Sequence, residues 1–167
     1  MNIPLYWIRP QTILSSQAGS QRFVWDMHYK PLDEPASYPI SATFMNTAPD
    51  ATSPWVLAGN YTAKMTVNDK VYTQTFTIKQ DPRVKTNPEK MKQIHDMSMI
   101  CYKAKQKIIA KLEDQKKDTL TKETEAKLNK LKASFTSIFN ILIDTDMPVT
   151  TQIVKTLVEA QRELSTL

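Results

Sequence analysis

The sequence predicts an α+β protein, with an antiparallel β-sandwich over residues 1–83 and an antiparallel three-helix segment over residues 84–167. Two observations carry this expectation. Apolar residues recur with period two in the first half and at three- and four-residue steps in the second. Composition changes at the same place. Eight of the ten prolines and all three tryptophans lie at or before Pro82, and Lys, Glu, Leu and Ile dominate beyond it. A chain of 167 residues has room for one ordinary domain or two small ones.

In chain order, the first clear element is "RFVWDMHY". Phe23, Trp25, Met27 and Tyr29 share one face, and Arg22, Val24, Asp26 and His28 the other, which is the pattern of a half-buried strand. Residues 30–57 form a long Pro-rich connection. Tyr38–Phe44 is a short strand within it, and the proline density keeps it from a central position.

A hairpin follows in "AGNYTAKMTVNDKVYTQTFTIKQDPR". A two-residue loop at Asn68-Asp69 pairs Val67 with Lys70, Met65 with Tyr72, Ala63 with Gln74 and Tyr61 with Phe76. Tyr61, Ala63, Met65, Val67, Tyr72, Phe76 and Ile78 then fall on one face. Thr62, Lys64, Thr66, Thr73, Thr75 and Thr77 fall on the other. A slip of one residue would mix the two sets. Asn and Asp tolerate the positive φ that such a turn requires. A lone hairpin is marginal in water, so its apolar face calls for a second sheet or a helix, and a small sandwich is the economical solution.

"KTNPEKM" starts the second half. Thr86 or Asn87 caps a helix with Pro88 in its first turn. Met91, Ile94, Met97, Cys101, Ala104, Ile108 and Leu112 form its stripe. Asp118 or Thr121 caps the next helix, whose stripe is Leu128, Leu131, Phe135, Ile138 and Leu142. A break at "DTDMPVT" precedes Ile153, Leu157, Ala160 and Leu164. Short connections make the three helices antiparallel neighbours.

The totals exclude several functions. Gly19 and Gly59 are the only glycines, too few for a phosphate-cradling loop. One cysteine permits no internal disulfide, and two histidines supply no zinc cage by themselves. No cofactor or metal is expected. No apolar run is long enough to span a membrane, and "MNIPLYWIRPQ" lacks the form of a signal peptide. The net charge of +5 is shared, +2 in residues 1–87 and +3 in residues 88–167. The lysines of "KAKQKIIAK" are read as a solvated face distributed around the helix, with no nucleic-acid partner.

Candidate chemistry is sparse. "DTD" within "NILIDTDMPVT" resembles a phosphotransfer Asp-x-Asp, but Pro148 stands where that pattern wants Thr or Val. A helix break explains it. Cys101 lies on an apolar stripe and reads as a buried hydrophobe. His28, beside Asp26, reads as a surface histidine with no nucleophile near it. Trp25 belongs to the inward set of its strand. Trp55 and Tyr38 are the candidate ligand-binding residues, since aromatic faces stack on sugars, although packing at the sandwich rim is the plainer role for Trp55. Asn60-Tyr61-Thr62 matches a glycosylation sequon.

Four motifs in order carry a resemblance. Gly19, Arg22, Phe23, Trp25 and Asp26 come first, then Gly59, Tyr61 and Ala63 with Ala58 in place of the usual Pro. Asp81-Pro82-Arg83 and then Asp146, Pro148 and Thr150 complete the set. Together they resemble the C-terminal region of bacterial glycosyl-hydrolase-like proteins with sortilin-type, BNR-repeat β-propellers. The resemblance implies an Ig-like or fibronectin-like module followed by a helical segment. It implies a non-catalytic accessory role, with the upstream β-propeller of the same parent chain as partner and any active site upstream. A periplasmic or secreted parent is implied as well. A carbohydrate-binding module using Trp55 and Tyr38, with a glycan as partner, is the alternative.

Overall fold

The computed structural model describes residues 16–32, 53–114 and 121–167. Five elements occur among them: β1 (Gly59–Val67), β2 (Lys70–Ile78), α1 (Pro88–Asp114), α2 (Lys122–Ile143) and α3 (Thr151–Ser165). Contacts divide the chain into two units, Met1–Pro54 and Trp55–Leu167.

The expected Ig-like or fibronectin-like sandwich is corrected by the structure. The sheet described has two antiparallel strands, β1 and β2, and no second sheet faces it among the described residues. The hairpin itself has the register read from the sequence. Val67 pairs with Lys70, Met65 with Tyr72, Ala63 with Gln74 and Tyr61 with Phe76. Asn68 and Asp69 take φ of 47° and 63°, both in the left-handed region that a two-residue primed turn needs. The inference that failed was burial. Met65, Val67, Tyr72 and Phe76 are between 39% and 53% exposed. Alternation specifies a two-faced strand and leaves open whether another layer covers the apolar face.

"RFVWDMHY" does not form the expected strand, for a local reason. Met27 has φ of 61°, which breaks the extended run. The Asp26 carboxylate accepts the His28 backbone N–H at 3.0 Å, and the Trp25 indole N–H donates to the His28 carbonyl at 2.9 Å. These side-chain bonds offer the backbone an alternative to a ladder. Phe23 and Met27, expected inside, are 50% and 48% exposed. Tyr29 is held to Ser53-Pro54 instead. Its N–H donates to the Pro54 carbonyl at 3.1 Å, and its carbonyl accepts from the Ser53 hydroxyl at 2.6 Å. The strand expected at Tyr38–Phe44 lies outside the described residues.

The helical half follows its periodicity. Asn87 caps α1, its side-chain oxygen accepting the Lys90 N–H at 2.9 Å, with Pro88 at the first position, where no amide is needed. Thr121 caps α2 through the Thr124 N–H, and Thr150 caps α3 through the Ile153 N–H. Ile94, Met97, Cys101, Ala104 and Ile108 of α1 meet Leu128, Leu131, Phe135, Ile138, Phe139 and Leu142 of α2, with Leu157 and Ala160 of α3 completing one core. The α1–α2 contact is the most extensive helix pairing and α1–α3 the least. Burying such side chains contributes on the order of 1.5–3 kcal/mol each, which makes this cluster the main source of stability in its unit.

Candidate functional site

The hairpin is the most unusual surface of the second unit, and its geometry follows from its base. Tyr61 and Phe76 face each other across the strands, ring centroids 6.0 Å apart and planes inclined by 27°. The Tyr61 hydroxyl donates to the Leu57 carbonyl at 2.7 Å, tying the chain before β1 to the sheet. On the opposite face, the Thr77 hydroxyl donates to the Asn60 side-chain oxygen at 2.8 Å. Only Gly59, Tyr61 and Ile78, all near the base, are partly buried. From there each nine-residue strand runs about 30 Å at 3.3 Å per residue. The result is a projecting ribbon with Met65, Val67, Tyr72 and Phe76 exposed along one face, where Lys70 and Gln74 also lie, and threonines with Val71 along the other.

Asp81-Pro82-Arg83 is the corner after β2. The Asp81 carboxylate accepts the Arg83 backbone N–H at 2.9 Å and the guanidinium at 2.6 Å. This hydrogen bonding holds Asp81 below the usual carboxylate range. The Gln80 amide reaches the Thr86 carbonyl at 2.9 Å, and the Thr86 hydroxyl donates to the Asp146 carbonyl, between α2 and α3. A chain of polar contacts thus runs from the end of β2 to the helices.

The other candidates assemble no reactive constellation. Cys101 is fully buried, and burial pushes its thiol up to about 12, so almost no thiolate forms near neutrality. His95 sits 3.3 Å from Asp96, which in turn takes the Lys92 ammonium at 2.5 Å. The Lys92 hydrogen bond, more than His95, holds Asp96 below its ordinary value. The His28 side chain is 11% exposed, not on the surface as expected. Asp144 caps the end of α2, and Asp146 follows in the connection to α3, which is the helix break expected for "DTD". A groove of about 400 Å³ between α1 and α3 has Ile100, Val154, Leu157 and Val158 along it, with Lys92 and Asp96 at its edge. It brings together no nucleophile and base. Among the described residues no cluster of His, Cys, Asp and Glu suits a metal ion.

Of the two aromatic candidates, Trp55 is 51% exposed. Tyr38 lies outside the described residues. Sequence reasoning missed the exposure of the hairpin face, because hydrophobic alternation reads the same whether a face is covered inside the chain or by something else. It also treated "KAKQKIIAK" as uniform. Lys105 is 3% exposed, with its ammonium 5.7 Å from the Phe139 ring centroid, whereas Lys103 and Lys107 are exposed. That difference was legible, since residue 105 neighbours the stripe position 104 and lies within one turn of positions 101 and 108.

The architecture defines a small α+β protein in which a three-helix bundle carries a projecting β-hairpin. Comparison with protein-family models, with curated proteins and with solved structures returned no match. No described helix is long and apolar enough to cross a membrane.

Proposed function

We propose that this chain is a non-catalytic accessory region that docks onto another folded domain through the apolar face of its hairpin. The observation that carries this reading is the row Met65, Val67, Tyr72 and Phe76, each at least 39% exposed on one side of a regular ribbon. A row of exposed large apolar residues on one face of a ribbon marks an interaction surface. The ribbon offers aromatic anchors, which dominate interface energetics. The motif resemblance supports a β-propeller of a secreted, glycosyl-hydrolase-like parent as the covering domain, with any hydrolytic site in that domain.

Hydrogen exchange tests the reading. The chain is compared with a longer product that includes the residues encoded before it. Amides from Tyr61 to Ile78 are expected to exchange at least ten-fold more slowly in the longer product. Equal exchange in the two would refute the docking role.

Exposed Trp55 favours a second reading, glycan binding by its indole face. That reading expects quenching of tryptophan fluorescence by a bound oligosaccharide, abolished in Trp55→Ala. A glycan array without hits removes it.

A further inference from the structure

The two edges of the ribbon differ. In a two-residue hairpin the pair flanking the loop exchanges backbone hydrogen bonds, and every second pair beyond it does the same. Val67–Lys70 flanks the loop, so Met65–Tyr72, Ala63–Gln74 and Tyr61–Phe76 are the bonded pairs. The residues between them turn N–H and C=O outward. These are Asn60, Thr62, Lys64 and Thr66 on β1, and Val71, Thr73, Thr75 and Thr77 on β2. Lys64 stands in the middle of the β1 edge, a charge of the kind that blunts strand pairing. β2 has no such guard. Val71–Ile78 is eight residues without a charge, a proline or a glycine, and its pairing with β1 is unbroken by a bulge. All of these residues except Gln74 are β-branched or aromatic, the types that favour strands.

The β2 edge is open. Among the described residues no third strand joins the sheet there. One hydrogen bond reaches the outward backbone groups of β2, from the Gln74 side-chain amide to the Thr75 carbonyl at 3.2 Å. That carbonyl keeps a second lone pair to offer. Every residue from Lys70 to Thr77 is exposed, Val71 and Tyr72 by 53% each. A regular, uncharged edge of this length facing solvent is a template for another strand.

We propose that β2 pairs antiparallel with β2 of a second copy of this chain, about a two-fold axis at Gln74. The strand selects that occupant because it is its own complement, as an isologous contact requires. With Gln74 of the two copies opposite each other, Thr73 of one meets Thr75 of the other, and Val71 meets Thr77. All four are outward residues, so the ladder is in phase and forms roughly eight backbone hydrogen bonds. Tyr72 of one copy meets Phe76 of the other, twice, and aromatic cross-strand pairs stabilise sheets. Phe76 already faces Tyr61, and Tyr72 faces Met65, so a row of Tyr61, Phe76, Tyr72 and Met65 crosses the four strands. No like charges are opposed in this register. Lys70 falls opposite Ile78, and Lys79 opposite Asp69, an opposite-charge pair at each end. The axis is perpendicular to the sheet, so both apolar faces lie on the same side and stay open. The pairing uses the edge and does not rest on the docking role of the face.

Sedimentation equilibrium of the intact chain tests this, with residue-resolved amide exchange read at the same concentrations. A monomer–dimer equilibrium with a dissociation constant below about 1 mM is expected. As concentration rises, the amides of Val71, Thr73, Thr75 and Thr77 are expected to slow several-fold, while those of Asn60, Thr62, Lys64 and Thr66 keep their rates. Gln74→Lys and Gln74→Glu each set like charges together at the axis, and each is expected to dimerise about five-fold more weakly. Mixed in equal amounts, the two variants are expected to form a heterodimer at least as tight as the parent dimer. Thr75→Pro removes an outward N–H that the ribbon does not use, and is expected to stay monomeric with its helices intact by circular dichroism. Three results would each overturn the proposal. The first is a monomer at about 1 mM. The second is concentration-dependent protection shared equally by both edges, which would assign the association to the apolar face. The third is no recovery on mixing the Gln74 variants, which would remove the axis from Gln74. None of these readouts involves the longer product, so failure of the docking role and failure of the pairing are separate results.

Discussion

Cys101 shows how much one buried atom governs. Its thiol is fully enclosed on α1, and burial pushes it from the ordinary 9.0 to about 12, with the charge of Lys105 opposing part of that rise. Below the lower value both folded and unfolded chains hold the proton. Between the two values the unfolded chain alone releases it, so stability declines as pH rises through that window. Urea midpoints at about pH 8 and about pH 11 are expected to fall further for the parent chain than for Cys101→Ala. Thiol labelling at neutral pH should track opening of the bundle rather than direct attack. Phe135, also fully buried, makes the core prediction. Phe135→Ala is expected to cost about 3–5 kcal/mol in chemical denaturation. Both residues were legible as stripe positions. Phe139 was not, because two adjacent apolar residues, Ile138 and Phe139, straddle the stripe and periodicity selects one.

Caps and turns decide where the elements begin and end. The Thr150 hydroxyl accepts the Ile153 N–H at 3.4 Å and starts α3, the shortest of the three helices. Thr150→Ala is expected to destabilise by about 1 kcal/mol, read from the thermal midpoint. In the hairpin, Asp69 holds φ of 63°. Asp69→Val places a β-branched side chain in that conformation and is expected to cost about 1–2 kcal/mol, seen as faster amide exchange across β1 and β2 with the helices unaffected. Helix positions and hairpin register were readable because each depends on local spacing and local turn chemistry. The strand expected at Arg22–Tyr29 failed because Asp26 and Trp25 bond to the backbone of His28, a preference that alternation does not register.

At the scale of the molecule, layering was the least legible property. Tyr61, Met65, Val67, Tyr72 and Phe76 show that the ribbon has an apolar face. They do not show what lies against it, because a covering layer is a property of distant residues or of another chain. The account rests on the hairpin face being a surface of this chain and not its interior. Met65 and Tyr72 are directly paired, so Met65→Lys/Tyr72→Glu replaces an apolar cross-strand contact with an opposite-charge one. If the face is open to solvent, the free energy of urea unfolding should change by no more than about 0.5 kcal/mol. A loss of several kcal/mol would show that these two side chains are core residues, and would contradict the docking surface altogether.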